Sequence, residues 1–163
     1  MIKHLIKIDL ILSGKKSGLC KLYYSNGQLE SEVNHKDGKP HGMVKFFNQN
    51  GKLELEATYK NGIKHGIVKS YFRNGQLEQK ANYKNGLKQG LVSSYHENGQ
   101  LKQEVNHKID SVYRLVKFYN TNGLLIQVVN YKNGKEDGLA KFYDDDGQLE
   151  YEAIYKDGEI VGS

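Results

Sequence analysis

The chain has 163 residues, is 37% hydrophobic, and contains one Pro, 18 Gly, 12 Tyr and no Trp. A large central core would be hard to fill, and strands punctuated by glycine turns are favoured over capped helices. The 24 Lys+Arg against 19 Asp+Glu leave a formal charge of +5 with no block of like charges, which argues against a nucleic-acid-binding tract, and a single cysteine, Cys20, excludes an internal disulfide framework or a cysteine-rich zinc site.

The first element read along the chain is a strand over residues 5–13. Its apolar run is interrupted by Lys7 and Asp9 and lacks a small-residue cleavage site, unlike a secretory signal. No stretch reaches the roughly 20 apolar residues of a membrane span, so the chain is expected to be cytoplasmic, with peripheral attachment to an anionic membrane as the alternative. Gly14-Lys15-Lys16-Ser17-Gly18 then has the shape of Gly38-Lys39-Pro40-His41-Gly42, which makes residues 1–17 an incomplete first unit.

From there a 24-residue period governs the chain. Gly18, Gly42, Gly66, Gly90, Gly138 and Gly162 share one register, broken only by Arg114. Asn26-Gly27, Asn50-Gly51, Asn74-Gly75, Asn98-Gly99, Asn122-Gly123 and Asp146-Gly147 share another, each followed two residues later by a leucine. A third holds Asp37-Gly38, Asn61-Gly62, Asn85-Gly86, Asn133-Gly134 and Asp157-Gly158, with Ile109-Asp110 in the missing place. Each unit therefore contains two turns and two strands, because Gly takes φ > 0 without steric cost and Asn or Asp tolerates it. The expected fold is all-β: one domain over 1–163, an elongated single-layer antiparallel meander of tandem β-hairpins with roughly twelve strands. Its repeats are 18–41, 42–65, 66–89, 90–113, 114–137 and 138–161.

Within a unit the second strand alternates, with Leu53, Leu55, Ala57 and Tyr59 on one side and Glu54, Glu56, Thr58 and Lys60 on the other. The first strand carries an apolar column, Leu19, Met43, Ile67, Leu91, Leu115 and Leu139, and an aromatic column, Tyr23, Phe47, Tyr71, Tyr95, Tyr119 and Tyr143. A three-residue loop ending in a left-handed Gly would set Tyr23 opposite Leu29 and Leu19 opposite Val33, gathering these columns on one face. Cys20, Leu22 and Tyr24 would then lie on the other face with Glu30, Glu32 and Asn34. A two-residue loop would split the columns.

Tyr59-Lys60-Asn61-Gly62-Ile63-Lys64-His65-Gly66 and its in-phase copies resemble the MORN (membrane occupation and recognition nexus) repeat in its bacterial variant. The resemblance covers almost all of the chain. It implies a scaffold or partner-binding surface, sometimes at membranes, and in bacteria such repeats also occur in proteins labelled antitoxins. Related repeats accompany plant lipid kinase domains, but no phosphate-cradling glycine loop or paired Asp and Asn motif stands here. Ile109-Asp110-Ser111-Val112-Tyr113-Arg114 departs from the repeat and loses both turn glycines.

Other polar constellations have simpler readings. Equivalent histidines, His41 with His65 or His35 with His107, sit in different hairpins about 9.6 Å or more apart, too far to share a zinc ion. Cys20 shares a column with Val44, Val68, Val92, Val116 and Ala140 and reads as a small hydrophobe. Glu30, Glu32, Glu54 and Glu56 recur with the repeat, whereas catalysis needs asymmetry. Asp144-Asp145-Asp146-Gly147 lacks the spaced oxygens of a calcium loop. No catalytic residue, metal, cofactor, small-molecule substrate or specific nucleic acid is expected. A protein partner, or self-association, is expected instead. The proposed contacts are Tyr23, Phe47, Tyr71, Tyr95, Tyr119, Tyr143, Tyr59, Tyr83 and Tyr131, with Gly27, Gly51, Gly75, Gly99, Gly123 and Gly147 as structural turns.

Overall fold

A computed structural model of the chain describes residues 17–108 and 112–163. The strand expected over 5–13, most of the 14–18 connection and the irregular residues 109–111 lie outside them. The strands are β1 (Gly18–Tyr23), β2 (Leu29–Lys36), β3 (Lys39–Phe47), β4 (Leu53–Lys60), β5 (Ile63–Tyr71), β6 (Leu77–Lys84), β7 (Leu87–Lys88), β8 (Gly90–Tyr95), β9 (Leu101–His107), β10 (Tyr113–Tyr119), β11 (Leu125–Lys132), β12 (Lys135–Tyr143), β13 (Leu149–Lys156) and β14 (Glu159–Gly162). They form one open antiparallel sheet of 14 strands in chain order, with the short β7 paired to β6. The described residues contain no helix.

Two kinds of turn alternate, and each follows from its residues. At Asp37-Gly38 a two-residue loop joins Lys36 and Lys39, with φ of 52° at Asp37 and 77° at Gly38. These are the left-handed values of a type I′ turn, whose twist matches that of the flanking strands. At the other end of the hairpin, Gly27 N–H donates to the Tyr24 carbonyl (3.0 Å) and Tyr24 N–H to the Gln28 carbonyl (2.8 Å). That is the expected three-residue loop, with Gly27 at φ 84°. Gly51 shows a second constraint: its φ is 76°, and a Cβ there would stand 2.9 Å from Gln28 Oε1 of the preceding unit.

The loop is as expected, but the register beyond it is not. Tyr23 does pair with Leu29, yet Leu22 pairs with Ser31, so Glu30 is an extra residue and the register shifts by one. Leu19 consequently faces Asn34, Lys21 faces Glu32 and Cys20 faces Val33. The same shift recurs at Phe46/Phe47, Ser94/Tyr95, Phe118/Tyr119 and Phe142/Tyr143. A bulge of this kind changes which side chains share a face. The expected pairing of Leu19 with Val33 is therefore wrong, and so is the placement of Cys20 and Leu22 beside Glu32 and Asn34.

The packed face is built on the column of Cys20, Val44, Val68, Val92, Val116 and Ala140 and that of Val33, Ala57, Ala81, Val105, Val129 and Ala153. Val44, Val129 and Ala140 are fully buried. Small residues form this central row, and larger ones on either side cover it, so the sheet buries one face without a second layer.

The described chain divides into two compact units. In the first, within 17–68 and 83–86, Val33, Val44, Phe46, Ala57, Tyr59 and Val68 make one cluster, with Leu55 and Tyr83 packed against it. In the second, within 69–82 and 87–163, Ala81, Val92, Val116, Val129, Ala140 and Ala153 are buried, and Phe142 stacks on Tyr151 with ring centres 4.3 Å apart.

Two adjacent residues test which face is packed: Val44→Ala should cost about 2 kcal/mol in urea denaturation, whereas Met43→Ala should cost less than about 0.5 kcal/mol. Gly51→Ala should cost about 1–2 kcal/mol, and adding Gln28→Ala should recover only the contact part, leaving the backbone penalty.

Candidate partner-binding face

The side chains of β1 alternate, so Leu19, Lys21 and Tyr23 point away from the packed face. This open face carries the apolar column almost bare: Leu19 is 56% exposed, Met43 48% and Ile67 48% in the first unit, and Leu91 53%, Leu115 43% and Leu139 38% in the second. Of the aromatic column, Tyr23 is exposed, while Phe47, Tyr71, Tyr95, Tyr119 and Tyr143 are half-buried. The remaining aromatics singled out in the sequence lie on the packed face. Tyr59 is buried and Tyr83 and Tyr131 half-buried, and burial pushes the hydroxyl pKa of each upward.

Charged pairs run between the leucines and the aromatics. Lys21 Nζ lies 2.8 Å from Glu32 Oε1, and Lys141 Nζ 2.8 Å from Glu152 Oε1. Tyr119 donates its hydroxyl to Glu104 Oε2 at 3.0 Å. Burial together with this carboxylate pushes the Tyr119 pKa up to about 12, so it remains a donor throughout the physiological range.

The six turn glycines, Gly27, Gly51, Gly75, Gly99, Gly123 and Gly147, have φ between 76° and 92°, and their neighbours tie successive units together. Asn26 Nδ2 donates to the Gln49 carbonyl at 2.9 Å, Asn74 Nδ2 to that of Glu97 at 2.9 Å, and Asn98 Nδ2 to that of Thr121 at 2.7 Å. Tyr24 Oη reaches the Phe47 carbonyl at 2.7 Å, and His96 Nε2 reaches that of Tyr119 at 2.9 Å. At the opposite sheet edge, Gly62 N–H donates to the Pro40 carbonyl (2.8 Å) and Gly86 N–H to that of Lys64 (2.9 Å).

Sequence reasoning missed a groove of about 430 Å³ in the second unit, where Leu91, Tyr113 and Leu115 meet Lys108, Arg114 and Lys117. The signal for it was Arg114 in a glycine column. Gly42, Gly66, Gly90 and Gly138 have φ from 77° to 101°, and Arg114 does not adopt a positive φ. In two regular units an asparagine bridges this place, Asn34 Nδ2 donating to the Met43 carbonyl at 3.4 Å and Asn130 Nδ2 to that of Leu139 at 2.8 Å. Among the described residues of β9 and β10, pairing covers only Gln103–Val105 with Val116–Phe118.

Among the described residues, no three or more His, Cys, Asp or Glu side chains gather as a metal site would require. No helix among them is long and apolar enough to cross a membrane.

An open hairpin-repeat sheet with one packed face and one face of exposed leucines and aromatics defines a repeat scaffold. The pattern described as the MORN repeat variant matches residues 16–37, 40–61, 64–85, 88–108 and 136–157, more than half of the chain, and the chain belongs to that family. The match skips the unit that follows the broken turn. No curated protein matches the chain.

Two histidines occupy the tyrosine column of the packed face. His35 is 7% exposed and its Nε2 has no hydrogen-bond partner among the described residues. Burial lowers its pKa below the usual 6.5, against a hydrogen bond with the Val33 backbone. Burial also lowers that of His107, with Arg114 and Lys88 adding to the effect. Since the folded chain binds protons less readily than the unfolded one, stability is complete above the unfolded pKa and falls with pH through the window below it. The urea midpoint should drop between about pH 7.5 and about pH 5, and His35→Tyr should flatten that dependence while leaving the part due to His107.

Proposed function

We propose that this MORN-repeat chain is a non-enzymatic scaffold that binds a protein partner on its open face, through the leucine column and the aromatics Tyr23, Phe47, Tyr71, Tyr95, Tyr119 and Tyr143. The observation that carries the reading is the row of large apolar side chains left 38% to 56% exposed on a sheet whose other face is packed. Scattered surface leucines need no explanation, but a column repeated in every unit on one face is an apolar strip of the kind that partners cover. Aromatic and aliphatic anchors flanked by charged pairs have the make-up of an interface centre with its polar rim. Neutralisation of a toxin, as by an antitoxin, would be one form of such binding.

The turn lysines give less support to attachment at an anionic membrane. Lys64 Nζ lies 5.3 Å above the Tyr83 ring, and Lys132 Nζ 5.4 Å above that of Tyr113, so two of these cations already stack on aromatic faces. Tyr59, Tyr83 and Tyr131 serve the packed face in this reading and hold the sheet rather than the partner.

Affinity capture followed by mass spectrometry tests the reading. Tyr71→Ser combined with Tyr95→Ser should abolish capture of the partner while the circular dichroism stays that of a β-sheet. Retained capture would overturn the assignment to this face, as would binding that depends only on the anionic lipid content of vesicles.

A further inference from the structure

We infer that Asn122 is a modification site of the folded chain: its side-chain amide closes on the Gly123 nitrogen, and the ring so formed opens to an aspartyl or isoaspartyl residue. The equivalent Asn-Gly pairs at Asn74 and Asn98 are held against this chemistry. The site lies in the loop between β10 and β11 and does not depend on the partner proposed for the open face.

The step needs no reagent other than water. The Gly123 backbone nitrogen gives up its proton to solvent and attacks Asn122 Cγ. The bond from Cγ to Nδ2 breaks, ammonia leaves with a proton from water, and a cyclic imide remains. Water then cleaves one of two bonds. Cleavage between Cγ and the Gly123 nitrogen leaves aspartate. Cleavage of the original peptide bond leaves isoaspartate, with the main chain running through the side chain. Glycine after the asparagine has no Cβ to obstruct the attack, and the turns of this repeat supply that pair again and again.

What separates the copies is the residue two places before the asparagine. Where it is Phe72 or His96, the amide that follows is tied at both ends. Asn74 Oδ1 accepts from Gln76 N–H at 2.9 Å while Nδ2 donates to the Glu97 carbonyl at 2.9 Å. Asn98 Oδ1 accepts from Gln100 N–H at 3.0 Å while Nδ2 donates to the Thr121 carbonyl at 2.7 Å. A carboxamide fixed in this way cannot turn its carbon toward the next backbone nitrogen.

In the third loop the deciding residue is Asn120, and it competes for the same donors. Its Oδ1 accepts from Asn122 N–H and from Leu124 N–H, both at 3.0 Å. Leu124 is the counterpart of Gln76 and Gln100, so the donor that would hold Asn122 Oδ1 is taken. Among the described residues the Asn122 amide has no hydrogen-bond partner, and the residue is exposed. The backbone does not explain the difference: Gly75, Gly99 and Gly123 N–H each donate to the carbonyl three residues back at 2.9 Å, with φ of 92°, 87° and 84°. Asn48 takes the N–H of Asn50 and of Lys52 at 3.0 and 3.1 Å, so Asn50 loses the same donor.

The two products differ in what they do to the loop. Asp146 stands in this column behind Asp144, whose Oδ1 accepts from Asp146 and Gln148 N–H, so an aspartyl residue fits. Isoaspartate adds a carbon to the main chain between Tyr119 and Leu125, which pair across the loop. Because loop length sets hairpin register, that product acts on the pairing of β10 with β11.

Peptide mapping by mass spectrometry after prolonged incubation of the full chain at mildly alkaline pH tests the proposal. Asn122 should convert at least about tenfold faster than Asn74 or Asn98, the factor that releasing two hydrogen bonds imposes on the tethered copies, and Asn50 should also run ahead of them. In denaturing urea the pairs should convert at similar rates, since each has glycine next. Asn120→His returns the Leu124 N–H to Asn122 and should slow its conversion, while His96→Asn should hasten that of Asn98. Equal rates for Asn122 and Asn98 in the folded chain would overturn the proposal, as would an order that persists in urea. So would folded exchange variants that leave both rates unchanged. The comparison within the unaltered chain decides the matter even where an exchange variant does not fold.

Discussion

A single sheet has no second layer to lie against, so whatever it buries must be buried by side chains of neighbouring strands. Here that is achieved by size: valine and alanine occupy the middle of the packed face, and tyrosine, phenylalanine and leucine flank them. Val44 and Val129 reach full burial this way. The stability of each hairpin then comes mainly from its neighbours, as in other quasi-one-dimensional proteins. The opposite face is left for other uses, and its leucines and aromatics remain in contact with solvent.

The turns and the faces were not equally legible in the sequence. Asn-Gly and Asp-Gly announced their positive φ directly, because few other residues tolerate it, so the hairpin repeat, the strand order and the three-residue loop all follow from residue identity. The side-chain faces did not, since they depend on an extra residue at Glu30 and its equivalents, and a bulge there has no residue type of its own. Grouping apolar columns by economy put Leu19 with Val33, whereas the chain uses leucine outside and valine inside. The lysines held the missing clue: Lys21, Lys45, Lys117 and Lys141 stand two residues after Leu19, Met43, Leu115 and Leu139 and so share their face, and all but Lys117 pair with a glutamate on the following strand.

The groove of the second unit shows the converse. Arg114 stands out in the glycine column once the columns are aligned, but its effect is geometric. A glycine needed for φ > 0 cannot be replaced by arginine without changing the path of the chain. A loss of repetition in a repeat protein is therefore more informative than any single polar residue within the pattern.

The cross-unit hydrogen bonds have a further consequence. At one sheet edge donors reach toward the later unit, as from Asn26 to Gln49, and at the other toward the earlier, as from Gly62 to Pro40. Among the described residues, hairpins that carry both bonds are in this way clasped from both sides by bonds of opposite sense. Such an array can lengthen or shorten smoothly only by whole 24-residue increments, because a fractional insertion would leave a clasp without its counterpart at both margins. The period written in the genetic message is thus also the quantum in which this architecture can grow.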